Sequence, residues 1–322
     1  MIMNGETNMS NFVIISDTGC DLNAELRERF DIADYLRGVL YFPDGHEISA
    51  DLDWSDMTPE EYFSSMKGRK ALYKSAAPKM GDIAATFEKY LSAGQDILCI
   101  CLSSSLSGTY DACLVVKKDM EEKYPDRRVE VIDSLRYSTS LALLMISAAT
   151  KRLEEATLDE TVAYVEEEKY KIHQMGTMDD LFFLVKTGRI SNFKAFFGNM
   201  IGLNLLADFN EKGLCEVIGK LKGRRDALDA IITYIDKTIV NPQEQILFIA
   251  HSLRPELAKT LADMVQEKFS PKEIIMNDVG MVCGANIGPG LCACFYKGEP
   301  VSKDMVREKA IMDEICSSIK DK

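Results

Sequence analysis

Between Ser103 and Thr109 five hydroxyl residues fall in seven positions, after the apolar run Ile97–Leu102 and before an amphipathic stretch from Thr109 to Tyr124. If a strand ends at Leu102 and a helix begins near Thr109, the first N–H groups of that helix have no internal partner. They point into the crevice at the strand's carboxyl end with the positive end of the helix dipole behind them. Gly108 lets a ligand approach the backbone closely, and Ser107 and Thr109 add hydroxyl donors. One serine would satisfy a helix cap, so the surplus reads as a site for an anion, carboxylate or phosphate.

Four other segments carry polar chemistry. Asp17 and Asp21, in Asp-Thr-Gly-Cys-Asp, follow the apolar run Phe12–Ser16 and share that crevice. Two carboxylates four residues apart could do acid–base work or hold a metal. Beside an anion site they would repel the ligand, so ordering the loop through backbone hydrogen bonds is the better expectation. Ser75 precedes a short apolar link and Pro78. Arg189 is presented by the turn Thr187-Gly188-Arg189 and suits a phosphate or a carboxylate. Gly284 to Gly290 reads as a glycine-rich turn with Asn286 as its polar handle.

Several chemistries lack their signatures. There is no Walker A run, dinucleotide fingerprint or nucleophile elbow, so no cofactor and no catalytic residue is assigned. Of His46, His173 and His251, the last stands at a strand's carboxyl end and is the best placed for acid–base work. The pairs Cys99/Cys101 and Cys292/Cys294 have no second pair or histidine at zinc spacing, so no metal is expected. The nine cysteines, mostly inside apolar stretches, read as buried thiols of a reducing compartment.

The elements that position these residues follow from the apolar pattern. Phe12–Ser16, Ile97–Leu102 and Val129–Asp133 read as buried strands, with helices over 82–93, 109–124 and 135–155. That alternation implies a parallel sheet with helices on both faces. A helical stretch from Leu141 to Glu168, broken near Ala156–Thr157, leads out of it. In the second half, Asp179–Lys186 reads as a helix, and 203–209 and 214–220 as a hairpin around Asn210–Gly213. Helices over 226–240 and 255–269 surround further strands, including 279–282, and 291–298 is expected to close the sheet. The expectation is α/β throughout: residues 1–156 as one domain with the head-group loops, 157–322 as a second with a mixed sheet, and the ligand between them. At 322 residues two domains is the ordinary outcome.

A net charge of −13 argues against nucleic-acid binding. Neither a secretory leader nor an apolar run long enough to span a membrane is present, so no stable membrane insertion and a cytoplasmic location are expected.

The segments Asp17–Leu22, Lys74–Pro78, Ser103–Tyr110, Leu181–Ser191 and Gly288–Gly290, in this order, resemble the DegV family. That family includes the fatty-acid-binding subunits of bacterial fatty acid kinase. The resemblance runs from about residue 12 to 298. It implies a binder of one long-chain fatty acid whose carboxylate is held by Ser75, Ser107 and Thr109 with Gly108 offering backbone. A separate ATP-dependent kinase subunit would then phosphorylate the bound carboxylate. Three positions depart from the family pattern: Asn286 stands where a histidine is usual, Lys74 replaces a threonine, and Lys222 occupies a position usually arginine. Asn286 and Lys74 are counted with the ligand site, and Arg189 and Lys222 with partner or phosphate contact. From Lys186 to Arg225 there are eight Lys or Arg against three Asp or Glu, a bias that suits a docking face for the kinase. The acyl chain needs an apolar tunnel, for which Phe193, Phe196, Phe197, Met200, Ile201, Leu203 and Leu205 are candidates. Two alternatives stay open: an independent serine hydrolase or phosphotransferase using Ser107 with His251, and a binder of another anionic small molecule.

Overall fold

The structure, a computed structural model, describes residues 11–191 and 202–320. Its strands are β1 (Phe12–Asp17), β2 (Asp34–Leu36), β3 (Val39–Tyr41), β4 (Glu47–Ser49), β5 (Lys74–Ala76), β6 (Asp96–Cys101), β7 (Val129–Asp133), β8 (Ile172–Met178), β9 (Leu203–Phe209), β10 (Cys215–Lys222), β11 (Ile246–His251), β12 (Glu273–Asp278) and β13 (Leu291–Lys297). The helices are α1 (Ala24–Arg29), α2 (Pro59–Met66), α3 (Met80–Ser92), α4 (Thr109–Lys123), α5 (Thr139–Leu153), α6 (Leu158–Glu168), α7 (Phe182–Thr187), α8 (Arg224–Thr238), α9 (Pro255–Phe269), α10 (Met281–Ile287) and α11 (Val306–Lys320).

The first sheet has the order β2-β1-β6-β7 and is parallel throughout. Its strands are apolar on both sides because both faces are covered. Val13, Ile15, Ile97, Cys99 and Cys101 face one way, toward α3 and α4. Ile14, Leu98 and Ile100 face the other, toward α5. Helix α5 is apolar around most of its circumference, which requires burial on all sides. It lies between the sheets, against β1 on one side and β8, β11 and β13 on the other. Its start at Thr139 corrects the expected helix over 135–155, because Leu135 and Ser138 hold positive φ angles that no helix tolerates. The break before α6 falls as expected, and Thr157 and Glu160 cap each other there.

The second sheet is mixed, in the order β10-β9-β8-β13-β11-β12, with β11–β12 its parallel pair. The β9–β10 hairpin forms around Asn210, whose Oδ1 accepts N–H bonds from Lys212 and Leu214. Rather than closing an edge, β13 inserts between β8 and β11. Here Gly176 lies so close to Ala293 that a Cβ would meet its atoms at 2.3 Å. The expected strand over 279–282 is instead the start of α10. Ladder bonding ends as Val279 N–H donates to His251 O, and the apolar run turns helical after Gly280. A run that short carries no decisive period.

A third sheet, β4-β3-β5, was not anticipated; its strands are three residues each, too short for alternation to show. It packs beneath α10. All nine cysteines are buried and unpaired. Among the described residues no helix is long and apolar enough to cross a membrane.

Candidate functional site

At the carboxyl ends of β1 and β6 a cleft opens between the two halves of the chain. Its wall draws Asp17, Thr18, Gly38, Ser75, Ser107, Gly108, Thr109 and Tyr137 from the first half. Leu184, Arg189, Val282, Asn286 and Ile287 come from the second.

The hydroxyl-rich loop divides its labour. Ser104 Oγ donates to Asp133, and Ser105 Oγ donates to Lys212 O at 2.6 Å, tying the loop to β7 and to the β9–β10 turn. Ser107 and Thr109 line the cleft with their hydroxyl oxygens 2.9 Å apart, and Thr109 N–H donates to Ser107 Oγ at 3.3 Å. One hydroxyl proton joins the two oxygens, which leaves the other for a ligand. Gly108, the N-cap residue of α4, has no side chain to cap the helix, and the first turn opens at the cleft.

Across the cleft, β5 carries Ser75 and α10 carries Asn286. Asn286 Nδ2 donates to Ser75 Oγ at 2.8 Å and to Val282 O at 3.0 Å. Because the Val282 carbonyl can only accept, the amide must present its NH2 on this side. Ser75 Oγ is thereby an acceptor from Asn286, and its own proton is free to be donated. Asn286 itself stands on the last turn of α10, with the glycine turn at Gly288–Gly290 following it; Gly288 takes φ 75° at the helix end.

Asp17 and Asp21 order the crevice. Asp17 accepts from Gly19 N–H at 2.7 Å and from Leu102 N–H at 2.8 Å, so one carboxylate pins the ends of β1 and β6 together. Burial raises its pKa to about 6 against the pull of those donors. Asp21 accepts from the Ser138 hydroxyl, and burial raises it to about 7. Among the described residues that line the cleft, Arg189 is the cation. Its Nε donates to Leu106 O at 3.2 Å and its Nη1 to Thr187 O, which ties the turn after α7 to the hydroxyl loop.

A second, small and mostly apolar cavity lies behind the cleft, against Met178, Leu181, Leu205, Ala207, Leu291 and Ala293. Tyr137 and Leu184 line both spaces.

Of the residues singled out in the sequence, Ser75, Ser107, Gly108, Thr109, Asn286 and Arg189 converge on the cleft. Lys74 does not line it and is exposed to solvent at the start of β5. Lys222 is exposed at the end of β10, also outside the cleft. His251 faces Asp278 at 3.2 Å and is not part of the cleft wall, so Ser107 and His251 are not brought together there. Leu205 lines the apolar cavity and Leu203 is half-buried at the start of β9. Phe193, Phe196, Phe197, Met200 and Ile201 lie outside the described residues.

Sequence reasoning missed Thr18, Tyr137 and Leu184 in the cleft wall, and also the buried Arg136, which is next to Tyr137 in the chain but lines neither space. Arg136 is fully buried; its carbonyl accepts from Ser103 N–H, while its guanidinium donates to Ile172 O and Leu135 O and lies 5.0 Å from the Phe209 ring centre. Burial lowers its pKa to about 10. Thr18 had a signal, since it lies within the Asp17–Asp21 turn. Arg136 and Tyr137 had none, since they belong to an irregular connection.

The chain's relatives agree with this architecture. The DegV family model, described as "Uncharacterised protein, DegV family", matches residues 11–299. A DegV domain-containing protein of Clostridium perfringens is 34% identical over 291 residues, covering 90% of this chain and 99% of the relative. Among solved structures, a Thermus thermophilus DegV family protein described by its fatty acid binding superposes with a TM-score of 0.80 at 20% identity, over 89% of this chain and 99% of that one. The Streptococcus pneumoniae fatty acid kinase B3 protein, loaded with linoleic acid, superposes with a TM-score of 0.75 at 19% identity, over 90% and 100%. By sequence model and by relative alike, this chain belongs to the DegV family.

Proposed function

We propose that the protein binds one long-chain fatty acid with its carboxylate in the hydroxyl-lined cleft and its acyl chain in the apolar cavity behind. The observation that carries this reading is the joining of the two spaces at Tyr137 and Leu184, polar donors on one side and aliphatic walls on the other. Ser75, Ser107 and Thr109 supply hydroxyl donors, Gly108 exposes backbone, and Arg189 supplies the positive charge that a carboxylate needs. Asn286 acts on the head group through Ser75. Burying methylenes at roughly 0.8 kcal/mol each makes the tail the main source of affinity and the hydroxyls the source of orientation.

In this reading the bound carboxylate is phosphorylated by a separate ATP-dependent kinase in the cytoplasm, and Lys222 lies on the docking face. Support comes from the fold shared with the Streptococcus pneumoniae kinase protein and from the exposure of Lys222 away from the cleft. Residues 1–156 and 157–322 act as the two domains that meet around the ligand. Lys74, being exposed, serves the surface rather than the head group. Lipid extracted from the purified protein and identified by mass spectrometry tests the proposal. Near-stoichiometric fatty acid is expected; none, together with no thermal shift on adding palmitate or oleate, would sink it.

A further inference from the structure

We propose that Cys99, Cys101 and Cys113 form a trigonal thiolate site for a soft monovalent ion of the copper(I) class. This does not rest on the lipid reading. Cys99 and Cys101 are two apart on β6 and so project from the same face of the first sheet. Cys113 meets them from α4, one turn beyond its start. The three sulfurs all lie within 4.8 Å of one another, with Cys99 and Cys101 Sγ 3.6 Å apart. A triangle of sulfurs about 4 Å on edge holds a central ion at bonds of about 2.3 Å, the usual metal–thiolate length. A disulfide would instead need two sulfurs at about 2.05 Å, well inside the separation of the Cys99–Cys101 pair.

Ligand type and number select the ion. Among the described residues no fourth His, Cys, Asp or Glu joins the triad. All three cysteines are 0% exposed, so solvent does not supply the missing ligand. Tetrahedral zinc is therefore one donor short, whereas copper(I) is satisfied by soft thiolates alone. The triad is walled by apolar side chains, Ile15, Phe87 and Val116 among them, and loading replaces thiol protons with the ion, so protons leave as the metal–sulfur bonds form. The positive end of α4 lies one turn away.

The site sits in the core, so the full chain is refolded, reduced and anaerobic, with copper(I) supplied as its glutathione complex, then desalted. The expected result is one copper per chain, with sulfur-to-copper charge-transfer absorbance and a copper–sulfur shell at about 2.3 Å by X-ray absorption. Cys113→Ser and Cys101→Ala, each checked for folding by circular dichroism, should retain less than about a tenth of that copper. Cys294→Ala, which removes a buried thiol elsewhere, should retain all of it. Wild-type protein that keeps no copper, folded triad variants that keep it fully, or preferential loading of zinc(II) from an equimolar mixture would each overturn the proposal.

Discussion

Ser75→Ala isolates the head-group chemistry, because Ser75 is held from behind by Asn286 and donates forward. In the wild type, Asn286 Nδ2 reaches Ser75 Oγ at 2.8 Å, so the serine proton is oriented away from the amide. A hydrogen bond to a charged acceptor contributes about 1.5–3 kcal/mol, and its loss corresponds to roughly 10- to 150-fold in Kd. Removing the hydroxyl also frees one N–H of Asn286, while the other stays on Val282 O at 3.0 Å. That freed N–H can reach toward the ligand and recover part of the loss, so the lower half of the range is expected. Asn286→Ala should cost less than Ser75→Ala, since it only loosens the serine's orientation. The double variant should exceed the sum of the two, because the compensating N–H is then gone. Displacement of a fluorescent fatty acid reads all three Kd values, and thermal melts establish that each variant is folded. Affinity for oleate within twofold of wild type in Ser75→Ala, at unchanged melting temperature, would refute the relay and place the carboxylate elsewhere.

Other outcomes follow from the same geometry. Ala207→Leu projects into the apolar cavity and should exclude about two methylenes, weakening palmitate roughly 15-fold at ~0.8 kcal/mol each while leaving decanoate unchanged; equal losses for both acids would contradict the tail's placement. Lys222→Ala should leave lipid affinity intact and slow acyl-phosphate formation with the cognate kinase, whereas Arg189→Ala, in the cleft wall, should weaken both; unchanged turnover for Lys222→Ala argues against a docking role. Asp21 carries a folded pKa of about 7 against 3.8 for the free group, so its contribution to stability is complete below about pH 4 and is lost as pH rises through 7. That loss is on the order of 4 kcal/mol, and Asp17, raised to about 6, adds to it in the same direction. Denaturant melts from pH 5 to 8 should show stability falling for the wild type and a flatter profile for Asp21→Asn, which mimics the protonated acid; an unchanged slope in the variant would count against the burial argument.

Legibility in the sequence tracked the length and periodicity of each element. β1, β6 and β7 were readable because strands buried on both faces are continuously apolar. The β9–β10 hairpin announced itself through Asn210 and Gly213. By contrast, β2 to β5 are three residues each, below the window in which a period of two can be detected. The run 279–282 differs from its expected strand because three apolar side chains around Gly280 fit a strand or a buried helix equally well.

For the site, the sequence by itself determined which chemistry was available: a hydroxyl-dense turn at a strand's carboxyl end, an Asp pair to order it and a cation beyond a glycine turn. Those are local facts, written in residue type and spacing. Only the tertiary structure decided which of these residues face the ligand. The pairing of β5 in the small sheet keeps Ser75 in the cleft wall while Lys74 stays exposed outside it. The packing of α10 over the small sheet sets Asn286 on Ser75. The burial of α5 between two sheets brings Tyr137, Leu184 and Leu205 around one cavity, although they are far apart in the chain. Such contacts depend on how faces are covered, and covering is a property of the whole fold rather than of any segment.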